Sequence, residues 1–168
     1  MQKIGIFYGT SSGNSEAAAQ LIQKEIGADL ATIFDVSSAK ASDVEQYSNI
    51  IFGCSTLSIG ELEYDFDDFM RELKAANLEG KIVAIFGLGD QESYPDSFVD
   101  SIGLIYEELK DKGCDIVGKT STEGYNHDES RGEVDGQFMG LALDEENQGD
   151  LTNKRIKDWV AELKKEFK

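Results

Sequence analysis

The chain has 168 residues, with 33 acidic side chains against 16 basic ones and a net charge of −17. That length can bury a sizeable core as one domain spanning residues 1–168. The charge excludes nucleic acid and anionic membrane surfaces as partners, because both need a basic footprint, and leaves plain solubility or steering onto basic protein faces. No apolar run reaches the roughly 18 residues of a membrane span, and Met1-Gln2-Lys3-Ile4 runs directly into a strand. The expectation is a cytoplasmic protein without a signal peptide. Cys54 and Cys114 suit a reducing compartment, and their places at opposite strand ends argue against a disulfide.

Residues 3–8 read as a strand, ended by Gly9-Thr10-Ser11-Ser12-Gly13-Asn14-Ser15. Ala17, Ala18, Leu21, Ile22 and Ile26 follow at helical spacing, with Gly27 as the stop. Residues 30–34 give a second strand closed by Asp35, and Ser42 three residues before Glu45 reads as a capping box on a short helix. A third strand at 49–54 enters the loop Ser55-Thr56-Leu57-Ser58-Ile59-Gly60. Phe66, Phe69, Met70 and Leu73 then line one face of an acidic helix. A fourth strand at 81–86 leads into Gly87-Leu88-Gly89-Asp90-Gln91-Glu92-Ser93-Tyr94, and the apolar spacing from Phe98 to Leu109 predicts a helix over 98–112. The fifth strand starts at 115–118. Residues 119–137 are polar and without period, as expected of a functional loop or an insertion. The apolar pattern resumes at 138–143, and 152–167 is an amphipathic helix whose Trp159 reads as core.

Near-continuous apolar strands alternating with helices specify an α/β fold: a doubly wound, five-stranded parallel sheet with helices on both faces. Ligands of such sheets bind beyond the carboxyl ends of the strands, so the loops 9–15, 55–60 and 87–94 should converge. The first lacks the Gly-Lys-Ser/Thr of a triphosphate loop and the G-x-G-x-x-G of a dinucleotide fold. Its hydroxyls and helix-terminal N–H groups suit one terminal phosphate, although a hydroxyl-rich turn can also be only a helix cap. The second loop offers Ser55, Thr56 and Ser58 for a polyol, and the third offers Asp90 and the Tyr94 ring. A phosphate, a polyol and a flat ring together describe FMN.

At these residues the chain resembles the flavodoxins, specifically their long-chain branch. The resemblance runs over almost the whole length, through Phe7-Tyr8-Gly9-Thr10, Ile59-Gly60-Glu61-Leu62, Phe86-Gly87-Leu88-Gly89-Asp90-Gln91 and Gly140-Leu141-Ala142-Leu143-Asp144-Glu145-Glu146-Asn147-Gln148. It implies strand order 2-1-3-4-5, with the fifth strand split by the insertion at 119–137. It also implies that Thr10, Ser11, Ser12, Gly13, Asn14 and Ser15 cradle the FMN phosphate, and that Ser55, Thr56 and Glu146 face the ribityl chain. Asp90, with the neighbouring backbone of Leu88 and Gly89, would bind the pyrimidine edge, Tyr94 would stack on the outer ring face, and Ser97 completes the candidate contacts. Leu57 departs from the aromatic residue common at the inner face, which predicts a more open pocket and an affinity lower by on the order of 1 kcal/mol. The Ser58-Ile59 peptide, in the turn closed by Gly60, would bond the central-ring nitrogen by flipping on one-electron reduction. Serine makes that flip costlier than glycine would.

The activity implied is low-potential, one-electron transfer by non-covalently bound FMN, in a protein that is not itself an enzyme. Its partners would be basic-faced: an NAD(P)H-dependent flavodoxin or ferredoxin reductase, and acceptor oxidoreductases. A monomer is expected, and carboxylates such as Asp65, Asp67, Asp68 and Asp90 would disfavour the fully reduced anion. No catalytic or metal-binding constellation competes, and the one histidine, His127, reads as an exposed loop residue. Gly53-Cys54-Ser55 stands where a receiver domain needs a phosphoacceptor aspartate. A flavin-dependent NAD(P)H:quinone reductase on the same fold is the alternative; it would reduce its flavin with NAD(P)H and no partner protein.

Overall fold

The computed structural model describes residues 1–168. Strands β1 (Ile4–Gly9), β2 (Ala31–Asp35), β3 (Asn49–Leu57) and β5 (Ile82–Leu88) lie parallel in the order β2-β1-β3-β5. The fifth position is filled by two pieces, β6 (Asp115–Val117) beside Ile82–Ala84 and β10 (Leu141–Leu143) beside Phe86–Leu88. This is the expected 2-1-3-4-5 sheet with its last strand split. A short strand β4 (Glu61–Leu62) folds back antiparallel on the end of β3, pairing Thr56 with Leu62 and Leu57 with Glu61.

Side-chain alternation along the strands builds a core on each face. Ile4, Ile6 and Tyr8 of β1 and Ala84 and Phe86 of β5 join α1 (Asn14–Ile26) and α6 (Thr152–Glu166) in one apolar cluster. Phe7, Phe52, Val83 and Ile85 point the other way, to α3 (Tyr64–Ala75) and α4 (Asp100–Leu109). Phe7 stacks on Phe34 with ring centroids 4.6 Å apart, and Phe52, Phe66 and Phe69 extend the aromatic group. Trp159 is buried, and its indole N–H donates to the Gly118 carbonyl at 2.8 Å, tying α6 to the point where the fifth strand breaks.

Three expectations need correction. The short helix α2 (Ala41–Glu45) is not capped by a Ser42–Glu45 box; the Asp43 carboxylate accepts from the Lys40 N–H at 2.8 Å, so the cap lies two residues earlier. The fourth helix begins at Asp100 rather than 98, because Val99 takes a left-handed φ of 47° while Phe98 enters the core outside the helix. Residues 119–137 are not structureless. Strands β7 (Thr120–Ser121), β8 (Glu133–Val134) and β9 (Gln137–Phe138) make a small antiparallel sheet in the order β7-β9-β8. Asp135 and Gly136, at φ 53° and 83°, form the two-residue turn between β8 and β9.

His127 is therefore not an exposed loop residue. Its side chain is 7 % exposed and sits between Phe98 and Phe138, with ring centroids 5.4 and 5.2 Å away, while Nε2 pairs with Glu133 at 2.8 Å. The insertion carries a small aromatic core of its own, completed by Tyr125, and the imidazole fills it.

Candidate functional site

The carboxyl ends of β1, β3 and β5 bring the three predicted loops to one open cleft of about 230 Å³. It is lined by Ser12 and Asn14 of the first loop, Ser55, Thr56 and Leu57 of the second, Leu88, Gly89, Asp90 and Tyr94 of the third, and Glu145 and Glu146. Direct bonds hold the loops together. The hydroxyls of Ser15 and Ser55 lie 3.0 Å apart, joining the first loop to the second. The Asn147 amide donates to Asp90 Oδ1 at 2.8 Å and to Asp144 at 2.9 Å, joining the third to α5 (Glu145–Gln148).

The first loop is shaped by its glycine and its hydroxyls. Gly13 takes φ 93° ahead of α1, and its N–H donates to Thr10 Oγ1 at 2.9 Å, which closes the turn. Ser15 is fully buried in the first turn of α1, beside N–H groups that have no partner within the helix. Hydroxyl and amide donors at a helix N-terminus fit a phosphate without any basic side chain. Ser11 does not face the cleft; its hydroxyl donates to the Glu63 carboxylate at 2.6 Å.

In the second loop Gly60 N–H donates to the Leu57 carbonyl at 3.2 Å, closing a tight turn. Ser58 sits at φ 45° and Gly60 at φ 97°, so a serine already occupies left-handed backbone there. Thr56 Oγ1 accepts from the Ser101 N–H at 3.0 Å, pinning this strand end to α4. Beneath the turn, Asp100 Oδ2 comes within 2.5 Å of where a Cβ on Gly60 would stand. The other Asp100 oxygen accepts from the Arg131 N–H of the insertion at 2.7 Å. Burial pushes the Asp100 carboxyl above its ordinary range, offset in part by that N–H and by the guanidinium.

The third loop is organised by two carboxylates. Burial pushes Asp90 up, but N–H donors from Ser93 and Glu92 and the Asn147 amide outweigh it and hold the carboxyl below the usual range. All three bonds fall on Oδ1, leaving Oδ2 free to accept. Asp144, which the sequence offers as an ordinary strand-end acid, is fully buried and accepts from the Gln91 N–H at 3.1 Å and from its amide at 2.7 Å. Tyr94 is 44 % exposed at the rim, as a stacking ring requires.

Not every expected residue reaches the cleft. Ile59, 83 % exposed, and Ser97 instead line a larger, acidic hollow of about 670 Å³ between the second loop and the insertion. Asp65 and Asp68 face another hollow on α3, with Lys40 and Arg71. The carboxylates that do line the cleft are Asp90, Glu145 and Glu146. Glu145 and Asn147 are additions; the run Asp144-Glu145-Glu146-Asn147 signalled them, but not which member would face inward. The Cys54 thiol is buried and pushed far up by desolvation, so it stays protonated; neither cysteine is in a disulfide. No group of three His, Cys, Asp or Glu side chains is placed to hold a metal ion.

The sequence and the fold are similar to those of known proteins. The profile of the flavodoxin family matches residues 6–159. A flavodoxin of Nostoc sp. is 48% identical over 166 residues, covering 99% of this chain and 98% of its own. One from Trichodesmium erythraeum is 47% identical over 169 residues, covering 99% of each. A crystal structure of Fusobacterium nucleatum flavodoxin bound to flavin mononucleotide superposes with a TM-score of 0.95 at 38% identity, covering 100% of both chains. On sequence and fold alike, this chain belongs to the flavodoxin family.

Proposed function

We propose that this chain is a one-electron carrier working through non-covalently bound FMN in the cleft at the ends of β1, β3 and β5. The observation that carries the reading is the convergence of a hydroxyl-rich helix N-terminus, a polar strand end and a ring-bearing loop, fastened by the Ser15–Ser55 and Asn147–Asp90 bonds. When bound, FMN supplies the redox chemistry and the protein sets its position and surroundings. Thr10, Ser12, Asn14 and Ser15, with the backbone of Ser11, hold the phosphate through hydroxyl and amide donors, and Gly13 shapes the loop around it. Ser55, Thr56 and Glu146 face the polyol. Leu57 and Tyr94 flank the ring, and Asp90 Oδ2 with the backbone of Leu88 and Gly89 takes its pyrimidine edge. The turn 58–60 offers its peptide to the central ring.

Asp90, Glu145 and Glu146 make negative charge gained in the cleft unfavourable, so the bound flavin is a strong reductant. The chain acts as one flavodoxin-like domain, a cytoplasmic monomer that meets basic faces of an NAD(P)H-dependent reductase and of acceptor oxidoreductases. No helix is long and apolar enough to cross a membrane. The test is the visible spectrum of the purified protein, after incubation with FMN, followed through stepwise reduction. The expected result is stoichiometric FMN uptake, two resolved one-electron steps, and no reduction by NAD(P)H until a reductase is added. A protein that takes up no FMN overturns the reading, and direct reduction by NAD(P)H turns it into that of a quinone reductase.

A further inference from the structure

We propose that Glu63 is a positioning residue which, through Ser11, holds the first loop in its phosphate-binding shape and so sets the preference for a phosphorylated flavin over its dephospho form. The inference rests on reading loop 9–15 as the phosphate anchor. Glu63 is a fully buried carboxylate, an expensive thing to bury without partners. Its Oε1 accepts from the Phe66 N–H at 3.1 Å and its Oε2 from the Asp65 N–H at 3.1 Å, which makes it the cap of α3. A cap needs no more than that. Oε2 also accepts the Ser11 hydroxyl at 2.6 Å, across 52 residues of sequence.

The remaining contacts put the carboxylate directly under the loop. A Cβ on Gly9 would overlap Oε1, so the first residue of the loop lies flat on Glu63. Glu63 N–H donates to the Ser55 carbonyl at 3.1 Å, and the Ser55 hydroxyl meets that of Ser15 at 3.0 Å. A ring therefore closes beneath the loop: Ser11 to Glu63, Glu63 to Ser55, Ser55 to Ser15. Both flanks of the loop are fastened while the phosphate side stays open.

Two consequences follow for binding. Ser11 has committed its hydroxyl proton to Glu63, so its side chain orders the loop rather than touching the phosphate. A loop of small polar residues with a left-handed glycine loses much freedom on closing round an anion, and a loop ordered beforehand loses less. The carboxylate is also an anion beneath an anion site. The Ser11 hydroxyl dipole, added to the two helix N–H groups, compensates its charge. Removing that hydroxyl both frees the loop and leaves the carboxylate less compensated, and both effects weaken the phosphorylated ligand alone.

The test titrates the flavin-free full-length protein with FMN and with riboflavin, reading flavin fluorescence. Ser11→Ala should weaken FMN by about tenfold, the scale of a hydrogen bond to a charged group, and leave riboflavin within roughly twofold. Ser11→Thr keeps the hydroxyl and should restore the ratio. Glu63→Asp keeps the charge and a residue type favoured at helix caps, but falls a methylene short of Ser11, so it should reproduce Ser11→Ala. Adding Ser11→Ala to Glu63→Asp should then change the FMN to riboflavin ratio by less than about twofold. An unchanged ratio in Ser11→Ala, or equal losses for both flavins, overturns the proposal. An equal FMN-specific loss from Ser11→Ala in both backgrounds also overturns it, by making Ser11 a direct phosphate ligand. A parent protein that binds neither flavin, or both equally, refutes the phosphate-anchor reading itself, which is a separate failure.

Discussion

Leu57 lines the cleft and Ser58 follows it in the turn, and each departs from the residue that the resemblance to the flavodoxins leads one to expect. Ser58 holds φ 45°, a conformation that costs a residue with a Cβ on the order of 1–2 kcal/mol. The strain is thus present in the turn of the flavin-free protein. Ser58→Gly removes it and lets the 58–59 peptide reorient cheaply. Spectroelectrochemistry should find the two one-electron potentials further apart, by about 59 mV for each tenfold gain in the flipped form. Stability of the flavin-free protein should change little, because the extra backbone freedom of glycine, about 0.5–1 kcal/mol, offsets the relieved strain. Unchanged potentials would leave the serine without a role in tuning. Leu57 lines the cleft without a π-surface. Leu57→Trp should tighten FMN by on the order of 1 kcal/mol, about fivefold by fluorescence titration, since an offset-stacked aromatic pair contributes that much beyond its area.

At the scale of elements, the turn between β3 and β4 is braced from below by a segment far away in sequence. Asp100 Oδ2 lies where a Cβ on Gly60 would go, and Oδ1 takes the Arg131 N–H of the insertion. Gly60 also has φ 97°. Gly60→Ala therefore meets both a strained backbone and a carboxylate that cannot withdraw without giving up its bond to the Arg131 N–H of the insertion. Urea unfolding should show a loss of about 1–3 kcal/mol, and FMN binding should weaken with it. This coupling also marks the limit of what the sequence discloses. The five strands and the three converging loops were legible, because apolar period and turn residues are local signals, whereas the split of the fifth strand followed only from the resemblance to the long-chain flavodoxins. Loop 9–15 could be read as a hydroxyl-rich helix entry without a lysine. The Asp135-Gly136 hairpin went unread, although Asp-Gly is a two-residue turn signal, because neighbours as short as Glu133–Val134 carry no period to announce a strand. The links that shape the site were not: Ser11 to Glu63, Asp100 to Arg131 and Asn147 to Asp90 join residues 52, 31 and 57 positions apart. His127 was misjudged for the same reason, since its burial depends on Phe98 and Phe138 arriving from other elements.

Over the whole molecule the charge of −17 acts on folding and on encounter in opposite senses. Within the chain it is self-repulsion: five ion pairs of Lys or Arg are present, three of them between exposed side chains, and they leave most carboxylates unpaired. Toward a basic partner it is attraction over a distance set by the Debye length, about 30 Å at 0.01 M salt and 8 Å at 0.15 M. The cleft opens among carboxylates, with Asp90, Glu145 and Glu146 in its lining and Asp96, Asp128 and Glu129 in the neighbouring hollow. A basic protein is therefore drawn to the face where the flavin edge would lie. Raising sodium chloride from 0.01 to 0.15 M should increase the urea midpoint of the flavin-free protein by screening repulsion. Over the same range the stopped-flow association rate with a basic one-electron partner should fall by about tenfold or more. The opposite slopes are the diagnostic. A stability that rises while the association rate stays flat would mean that the acidity serves solubility alone and that partners are recognised by the uncharged rim of Ile59 and Tyr94.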